Sequence, residues 1–251
     1  MRKLLRVALW AVVAGGVALA AAWLPDALAE LEVFRAREFQ ITGARLLEEQ
    51  QVLAAAAISP FFSVFDDLTS IERRLEQHPL IRRARVTARF PETLLLTIEE
   101  RDPVAFVANP LLEPVDREGR ILPLDPVALR LDLPILIRAG GSAALSPSQL
   151  RVLAMEVDRL AADDPTFLAA VSEMAIDERG DAIAVLSGDL LFRFRPPLSH
   201  RRLRDGLRVL EDADLRRPNQ RATVLDLRFA DQFIVAYVDQ PGTPSAQRGS
   251  R

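Results

Sequence analysis

The sequence predicts an α+β protein in which one N-terminal transmembrane helix precedes two globular domains. Three observations predict this class. An unbroken run of apolar residues lies close to the N-terminus, residues 36–102 follow the order strand, helix, helix, strand, strand, and residues 103–241 mix short strands with at least two amphipathic helices. A chain of 251 residues with 49% apolar and 27% charged residues is long enough to bury two small cores.

The apolar run covers residues 7–24, and as a helix it would span roughly 27 Å, close to the thickness of a bilayer core. Trp10 and Trp23 lie near its two ends, where indole rings favour the membrane interface. Residues 1–6 are basic and acidic residues follow the run, so the positive-inside rule predicts a cytoplasmic N-terminus and an exported body. A cleavable signal peptide is the alternative, because Pro25 and then Ala27-Leu28-Ala29 resemble a cleavage region.

Residues 36–102 contain an alternating strand that stops at Gly43, two helices and a strand pair that turns at Pro91-Glu92. The first helix is predicted from helical spacing that begins at Leu46 and Leu47 and ends before Ser59-Pro60. The first strand of the pair alternates core-facing residues with arginines, and the predicted core-facing set is Leu80, Ala84, Val86, Ala88 and Phe90. The arginines Arg83, Arg85 and Arg89 form either a site for an anionic lipid or partner, or an ordinary solvated face.

Residues 103–241 are predicted to form the second, β-rich domain. Ser146-Pro147 opens one helix as N-cap and first helical residue, and leucines at helical spacing from Leu203 define another. Two closing strands are predicted over Thr223–Phe229 and Phe233–Val238. Residues 242–251 have no apolar period and are predicted to be a disordered tail.

Composition and motifs argue against several classes of function. The chain has no cysteine, which excludes disulfides and thiolate chemistry, and after the basic N-terminus 29 basic face 35 acidic residues, which disfavours nucleic acid. The adjacent carboxylates Glu99 and Glu100 fall on opposite strand faces, and the sequence has no metal-binding histidine spacing, phosphate loop or nucleophile elbow. We therefore predict no catalytic residue, no metal, no cofactor, no small-molecule substrate and a structural role for His78 and His200.

Several motifs follow one another in a characteristic order. The first set is Ile41-Thr42-Gly43, the hairpin residues Pro79, Ala84, Val86, Arg89 and Pro91, and the junction Glu100-Arg101-Asp102-Pro103-Val104-Ala105. The second domain adds VDREGRILPL, LPILIRAG and the closing pair TVLDLRFADQFIVAY. In this order the motifs resemble the FtsQ/DivIB family of bacterial cell-division proteins, which combine an anchor, a POTRA domain and a β domain.

The resemblance implies a divisome scaffold that is a single-pass inner-membrane protein with a periplasmic body at the division septum. Its implied partners are FtsB- and FtsL-like bitopic proteins and other divisome proteins, bound by strand addition. The alternative is an export or envelope-assembly module, because POTRA domains also bind client polypeptides. A secreted enzyme is a third class, which the missing catalytic motifs disfavour.

The family's partner-binding edge corresponds here to the last strand and the turn before it. The implied residues are Phe229, Asp231, Gln232, Phe233, Val235 and Tyr237. The same apolar residues also suit an ordinary core, with Tyr237 capping the sheet. Two features depart from the family: the cytoplasmic segment is short, and the turn Ala230-Asp231-Gln232 lacks small residues that are common there.

Overall fold

The computed structural model describes residues 31–109, 111–140 and 144–239, together with Trp10, residues 12–16 and Ala29. The chain divides into two compact units, Met1–Arg101 and Asp102–Arg251. Most of the transmembrane helix predicted over 7–24 lies outside the described residues, as do the cytoplasmic segment 1–6 and the tail 242–251. Among the residues that are described, no helix combines the length and the apolar character that crossing a bilayer requires.

The first unit is a three-stranded sheet covered by two helices. After a 3₁₀ turn at Glu32–Phe34, its elements are β1 (Glu38–Thr42), α1 (Glu49–Ala56), α2 (Leu68–Glu76), β2 (Ile81–Arg89) and β3 (Thr93–Glu100). The sheet order is β1-β3-β2, with β1 parallel and β2 antiparallel to β3. This is the predicted order of elements, and the buried faces of α2 and of the strands form the core of the unit.

Helix α1 begins three residues later than the spacing of Leu46 and Leu47 predicted. The backbone N–H groups of Arg45, Leu46 and Leu47 instead donate to the buried carboxylate of Glu100 at 2.8–3.1 Å. A carboxylate that accepts several backbone N–H groups replaces the water it loses on burial. Glu100 therefore fastens the end of β3 to the turn that leads into α1.

Gly43 ends β1 in a conformation that a side chain would not tolerate. Its φ is +87°, and a Cβ placed there would lie 2.1 Å from the carbonyl oxygen of Ile98. The close approach of this turn to β3 therefore requires glycine.

Phe90 does not join the core, contrary to the prediction. It lies beyond the last residue of β2, in the turn before β3, and its side chain is 63% exposed. The strand alternation that buries Ala84 and Val86 no longer applies at Phe90, because the helices do not cover the turn.

The second unit contains eight strands and three helices in its described part. Its elements are β4 (Ala105–Asn109), β5 (Leu111–Val115), β6 (Ile135–Arg138), α3 (Pro147–Asp163), α4 (Pro165–Leu168), β7 (Val171–Ile176), β8 (Ala182–Leu186), β9 (Leu190–Phe194), α5 (His200–Arg216), β10 (Gln220–Asp226) and β11 (Ile234–Asp239). The predicted start of α3 is confirmed: Pro147 is its first residue, and the hydroxyl of the preceding Ser146 accepts the N–H of Gln149.

These strands form one sheet in the order β11-β10-β9-β8-β7-β6-β4-β5. The sheet is mixed, with parallel pairs β10–β9, β7–β6 and β6–β4 and antiparallel pairs elsewhere. Helices α3 and α5 contribute Leu153, Val157, Leu160 and Leu203 to a single core with the sheet. Gly206 allows α5 to approach closely, because a Cβ there would lie 2.5 Å from the Leu227 side chain.

The two closing strands begin and end at other residues than predicted. Strand β10 ends at Asp226 and β11 begins at Ile234, so residues 227–233 form a turn rather than strand ends. His200 Nδ1 lies 2.6 Å from Asp164 at the end of α3, and His78 Nδ1 accepts the N–H of Leu80, so both histidines make local structural contacts.

Replacing Glu100 tests whether its carboxylate holds the turn into α1. We expect Glu100→Gln to lower the stability of the first unit by about 2 kcal/mol, because one amide oxygen cannot serve three N–H groups. Amide hydrogen exchange at residues 45–47 would measure the change. Glu99→Gln is the matched control: Glu99 pairs with Arg82 at the surface, so it should cost less than about 1 kcal/mol. Equal effects from the two variants would contradict this role for Glu100.

Candidate partner-binding edge

Strand β11 is a terminal strand of the eight-stranded sheet. It pairs with β10 in antiparallel register from Asp226–Ile234 to Gln220–Asp239, with a bulge between Ala222 and Val224. Among the described residues no strand pairs with its other side. A terminal strand presents unpaired backbone N–H and C=O groups, which are the groups that bind an added strand.

The two faces of β11 have different surroundings. Phe233, just before the strand, and Val235 pack at the margin of the core. Farther along the same face, the guanidinium of Arg217 lies 4.7 Å from the Tyr237 ring centroid. On the opposite face Ile234 and Val238 are 47% and 51% exposed. The strand is therefore apolar on both faces although only one is covered.

The turn before β11 is held by Arg202 on α5. Its Nε donates to the carbonyl oxygen of Leu227 at 3.2 Å, Nη1 to that of Ala230 at 2.9 Å and Nη2 to that of Gln232 at 2.7 Å. Nη2 also donates to the Phe229 carbonyl oxygen, and the guanidinium carbon lies 4.1 Å from the Phe233 ring centroid. All these bonds are to backbone carbonyls. The Arg202 side chain therefore sets the path of the turn independently of the side chains that the turn residues carry.

A second set of charges fixes the end of β10. Arg228 bonds Asp226 through Nε and Nη2 and reaches Asp181 with Nη1 at 2.8 Å, while Arg195 also bonds Asp181. Asp181 and Asp226 are both buried. Burial alone would raise the pKa of each carboxyl, but the hydrogen bonds from the arginines outweigh it and lower both pKa values below the ordinary range, while the pKa of Arg228 is raised.

Two other sheet edges, those of β2 and β5, are at least partly closed. On β2, the outward N–H groups of Ala84 and Val86 donate to Glu76 and Glu72 of α2 at 3.1 and 2.8 Å. On β5, the carbonyl oxygen of Pro114 accepts the N–H of Leu122 at 2.8 Å. Side chains and loops that bind edge groups discourage strand addition. On β11 the Thr223 hydroxyl of the neighbouring strand donates to the Ala236 carbonyl oxygen at 3.4 Å, and the described residues show no other side chain or loop bound to its backbone.

The structure brings the predicted site residues together but divides them into two groups. Phe229, Asp231, Gln232 and Phe233 belong to the turn, where the first three are exposed, and Val235 and Tyr237 belong to β11 with side chains toward α5. Sequence reasoning missed Arg202, which lies on another element, and the exposed pair Ile234 and Val238. The run of apolar residues from Phe233 to Val238 was the available signal, because a half-buried strand normally alternates.

This edge presents groups that form hydrogen bonds and apolar contacts. Within the described ranges no cluster of three or more histidine, aspartate or glutamate side chains is arranged to hold a metal ion. The groups that converge are backbone amides and carbonyls, apolar side chains and arginines already bound within the chain.

Comparison with known proteins places the first unit in a family. Residues 34–101 match the family model of the POTRA domain, FtsQ-type. These residues include every strand and helix of the three-stranded unit from the 3₁₀ turn onward.

Curated relatives extend the similarity into the second unit. The chain is similar to a cell division protein FtsQ of Syntrophotalea carbinolica, with 27% identity over 70% of this chain and 66% of the relative. A relative of the same name from Rhodothermus marinus is 29% identical over 87% of this chain and 84% of its own length. Another from Neisseria meningitidis serogroup B is 28% identical over 72% of each chain.

Replacing Arg202 tests its hold on the turn. We expect Arg202→Lys to destabilise residues 227–233 by about 2 kcal/mol, because an ammonium cannot serve the same spread of carbonyls and loses the stacking on Phe233. Faster hydrogen exchange in that turn would report the change. Arg201→Lys is the control, since Arg201 is exposed and pairs only weakly with Asp205. Unchanged exchange in Arg202→Lys would refute this role.

Acid should weaken the second unit through Asp181 and Asp226. Their pKa values are lowered by folding, so their contribution to stability is complete above the ordinary value of about 4 and is lost as pH falls through the lowered values. We expect thermal unfolding of this unit to shift downward in that acidic window. Asp226→Asn should be less stable at neutral pH and should show a weaker dependence on pH there; an unaltered pH profile would contradict the proposed linkage.

Proposed function

We propose that this chain is a member of the FtsQ family of cell-division proteins and a membrane-anchored division scaffold that binds an extended segment of a partner along β11. The observation that carries the proposal is the position of β11 at the end of the eight-stranded sheet, with one neighbouring strand and an exposed apolar face. Binding by strand addition needs such an edge and no catalytic group.

The edge also indicates the chemistry of the partner. A strand added to β11 would place alternate side chains on either face of the extended sheet. On the open face these side chains would meet Ile234 and Val238, so apolar residues at every second position are favoured there. On the other face they would approach Tyr237 and the half-buried Val235. FtsB- and FtsL-like bitopic proteins are the partners proposed on the family's behaviour.

The proposed location is the inner membrane, with the N-terminus in the cytoplasm and both units in the periplasm at the septum. The apolar run over residues 7–24 supports a single span, and Arg2, Lys3 and Arg6 before it support this orientation. Attachment to the same membrane would raise the effective concentration of a bitopic partner at the edge.

Strand addition predicts that damage to β11 abolishes partner binding while the fold persists. We expect Val235→Pro, which removes one backbone N–H and fixes φ, and the pair Ile234→Glu and Val238→Glu, which puts charge on the open face, to abolish co-purification with FtsB- and FtsL-like proteins from membranes. Hydrogen exchange of β8 and β9 would show that the sheet remains folded.

Val127→Glu is the matched control for added charge, because Val127 is 82% exposed in the same unit and belongs to none of its described strands. It should bind partners as the unaltered chain does. Undiminished partner binding by the β11 variants would refute strand addition at β11. Loss of an unrelated client polypeptide, with division partners still bound, would favour the export or assembly function instead.

A further inference from the structure

A group of apolar side chains, most of them exposed, lies at one corner of the first unit. We call it the aromatic corner, and its members are Leu31, Val33, Phe34, Phe61, Phe65 and Phe90. Phe61 and Phe90 are 74% and 63% exposed, and Leu31 and Val33 are about half exposed. Exposed clusters of large apolar side chains on a folded domain mark surfaces that bind a partner or a membrane.

The rings of the aromatic corner are packed against one another. The Phe34 and Phe65 ring centroids are 5.0 Å apart in an edge-to-face contact, and those of Phe65 and Phe90 are 5.1 Å apart. The guanidinium of Arg35 lies 5.4 Å from the Phe61 ring centroid. Three separate stretches of chain therefore meet at this corner, with Phe61 joined to them through Arg35.

Backbone hydrogen bonds keep these stretches in place. The Phe34 carbonyl oxygen accepts from the Val64 N–H at 2.9 Å and from the buried Ser63 hydroxyl at 3.1 Å, and the Ala36 N–H donates to the Phe62 carbonyl oxygen at 2.8 Å. The aromatic rings are therefore presented to solvent by ordered backbone, not by a loose terminus.

The aromatic corner lies where the chain enters the unit from the apolar run over residues 7–24. Six residues separate Leu24 from Leu31, and an extended chain covers these seven residue steps in at most roughly 25 Å. Leu31 is itself part of the corner, so a bilayer that holds the apolar run keeps the corner within reach of its surface. Because the connecting segment is short, the membrane is a more suitable binding partner for the aromatic corner than a distant protein.

Charges around the aromatic corner are of both signs. Arg35, Arg37 and Arg89 lie beside Glu32, Glu38 and Glu92, and Arg35 is paired with Glu32 at 3.1 Å. A polybasic surface would be expected if anionic lipid headgroups were the attraction. Apolar insertion at the boundary between headgroups and acyl chains suits this composition better.

We infer that the aromatic corner inserts into the interfacial zone of the bilayer on the exported side and so orients the first unit on the membrane. The inference rests on the proposed membrane anchor. Phe61 and Phe90 enter deepest because they are the most exposed members. A unit oriented in this way does not rotate freely on its tether, which limits the directions in which it meets other membrane proteins.

The test uses the full chain in proteoliposomes of zwitterionic lipid with brominated acyl chains. Trp10 and Trp23 are the only tryptophans, so a Trp10→Phe, Trp23→Phe background allows a single reporter to be introduced as Phe61→Trp or Phe90→Trp. Gln77→Trp is the matched control, because it is exposed just beyond the far end of α2, roughly 14 Å along that helix from the corner. We expect blue-shifted emission and strong quenching at 61 and 90, and neither at 77.

Each outcome has a distinct meaning. Water-like, unquenched emission at 61 and 90, in a chain that alkaline carbonate does not release from the vesicles, overturns the inference and leaves the anchor standing. Equal quenching at 61, 90 and 77 overturns the orientation, since the unit would then lie on the membrane without a preferred corner. Release by carbonate removes the anchor and overturns both proposals.

Discussion

Arg202 and the carbonyl oxygens it binds determine the geometry on which the proposed binding edge, β11, depends. The turn between β10 and β11 must reverse the chain over seven residues, and its carbonyls point toward α5 without a strand to pair with. A guanidinium carries enough donors in one plane to satisfy several of them together. Because the same group also stacks on Phe233, the turn and the start of β11 are held by one side chain.

In the first unit a turn is also held by one charged side chain, but here it is a carboxylate that accepts backbone N–H groups. Glu100 collects three backbone N–H groups of the turn before α1, and Glu72 and Glu76 collect two more from the outer side of β2. Charged side chains that bind backbone groups are strong partners, and they occupy groups that would otherwise be open to another chain. The edge of β2 is therefore closed because side chains of the same chain bind its outward N–H groups, whereas β11 has no comparable partners among the described residues.

Ion pairs around Arg228 fix the end of β10, the strand that pairs with β11. Asp181 reaches Arg228 from the turn before β8, and Asp226 from β10 itself, so strands that are not neighbours are joined through one guanidinium. A binding edge that is ordered before its partner arrives loses less conformational entropy on binding. Asp181 and Asp226 hold Arg228 only while they are charged. The stability of this part of the sheet therefore depends on pH.

Local pattern determined most of the secondary structure. Alternation, helical spacing, the Ser146-Pro147 cap and the turn at Gly43 predict the order of elements in the first unit, and one helix start and the two closing strands in the second, since each depends on residues adjacent in sequence. The proposal that the last strand binds a partner rests on a resemblance to a family and not on local pattern. Tertiary structure decided where Leu46 and Leu47 bond, why Phe90 stays in solvent, and how Arg202 and Arg228 shape the edge. These contacts join residues up to 55 positions apart, and no local periodicity carries information about such pairs.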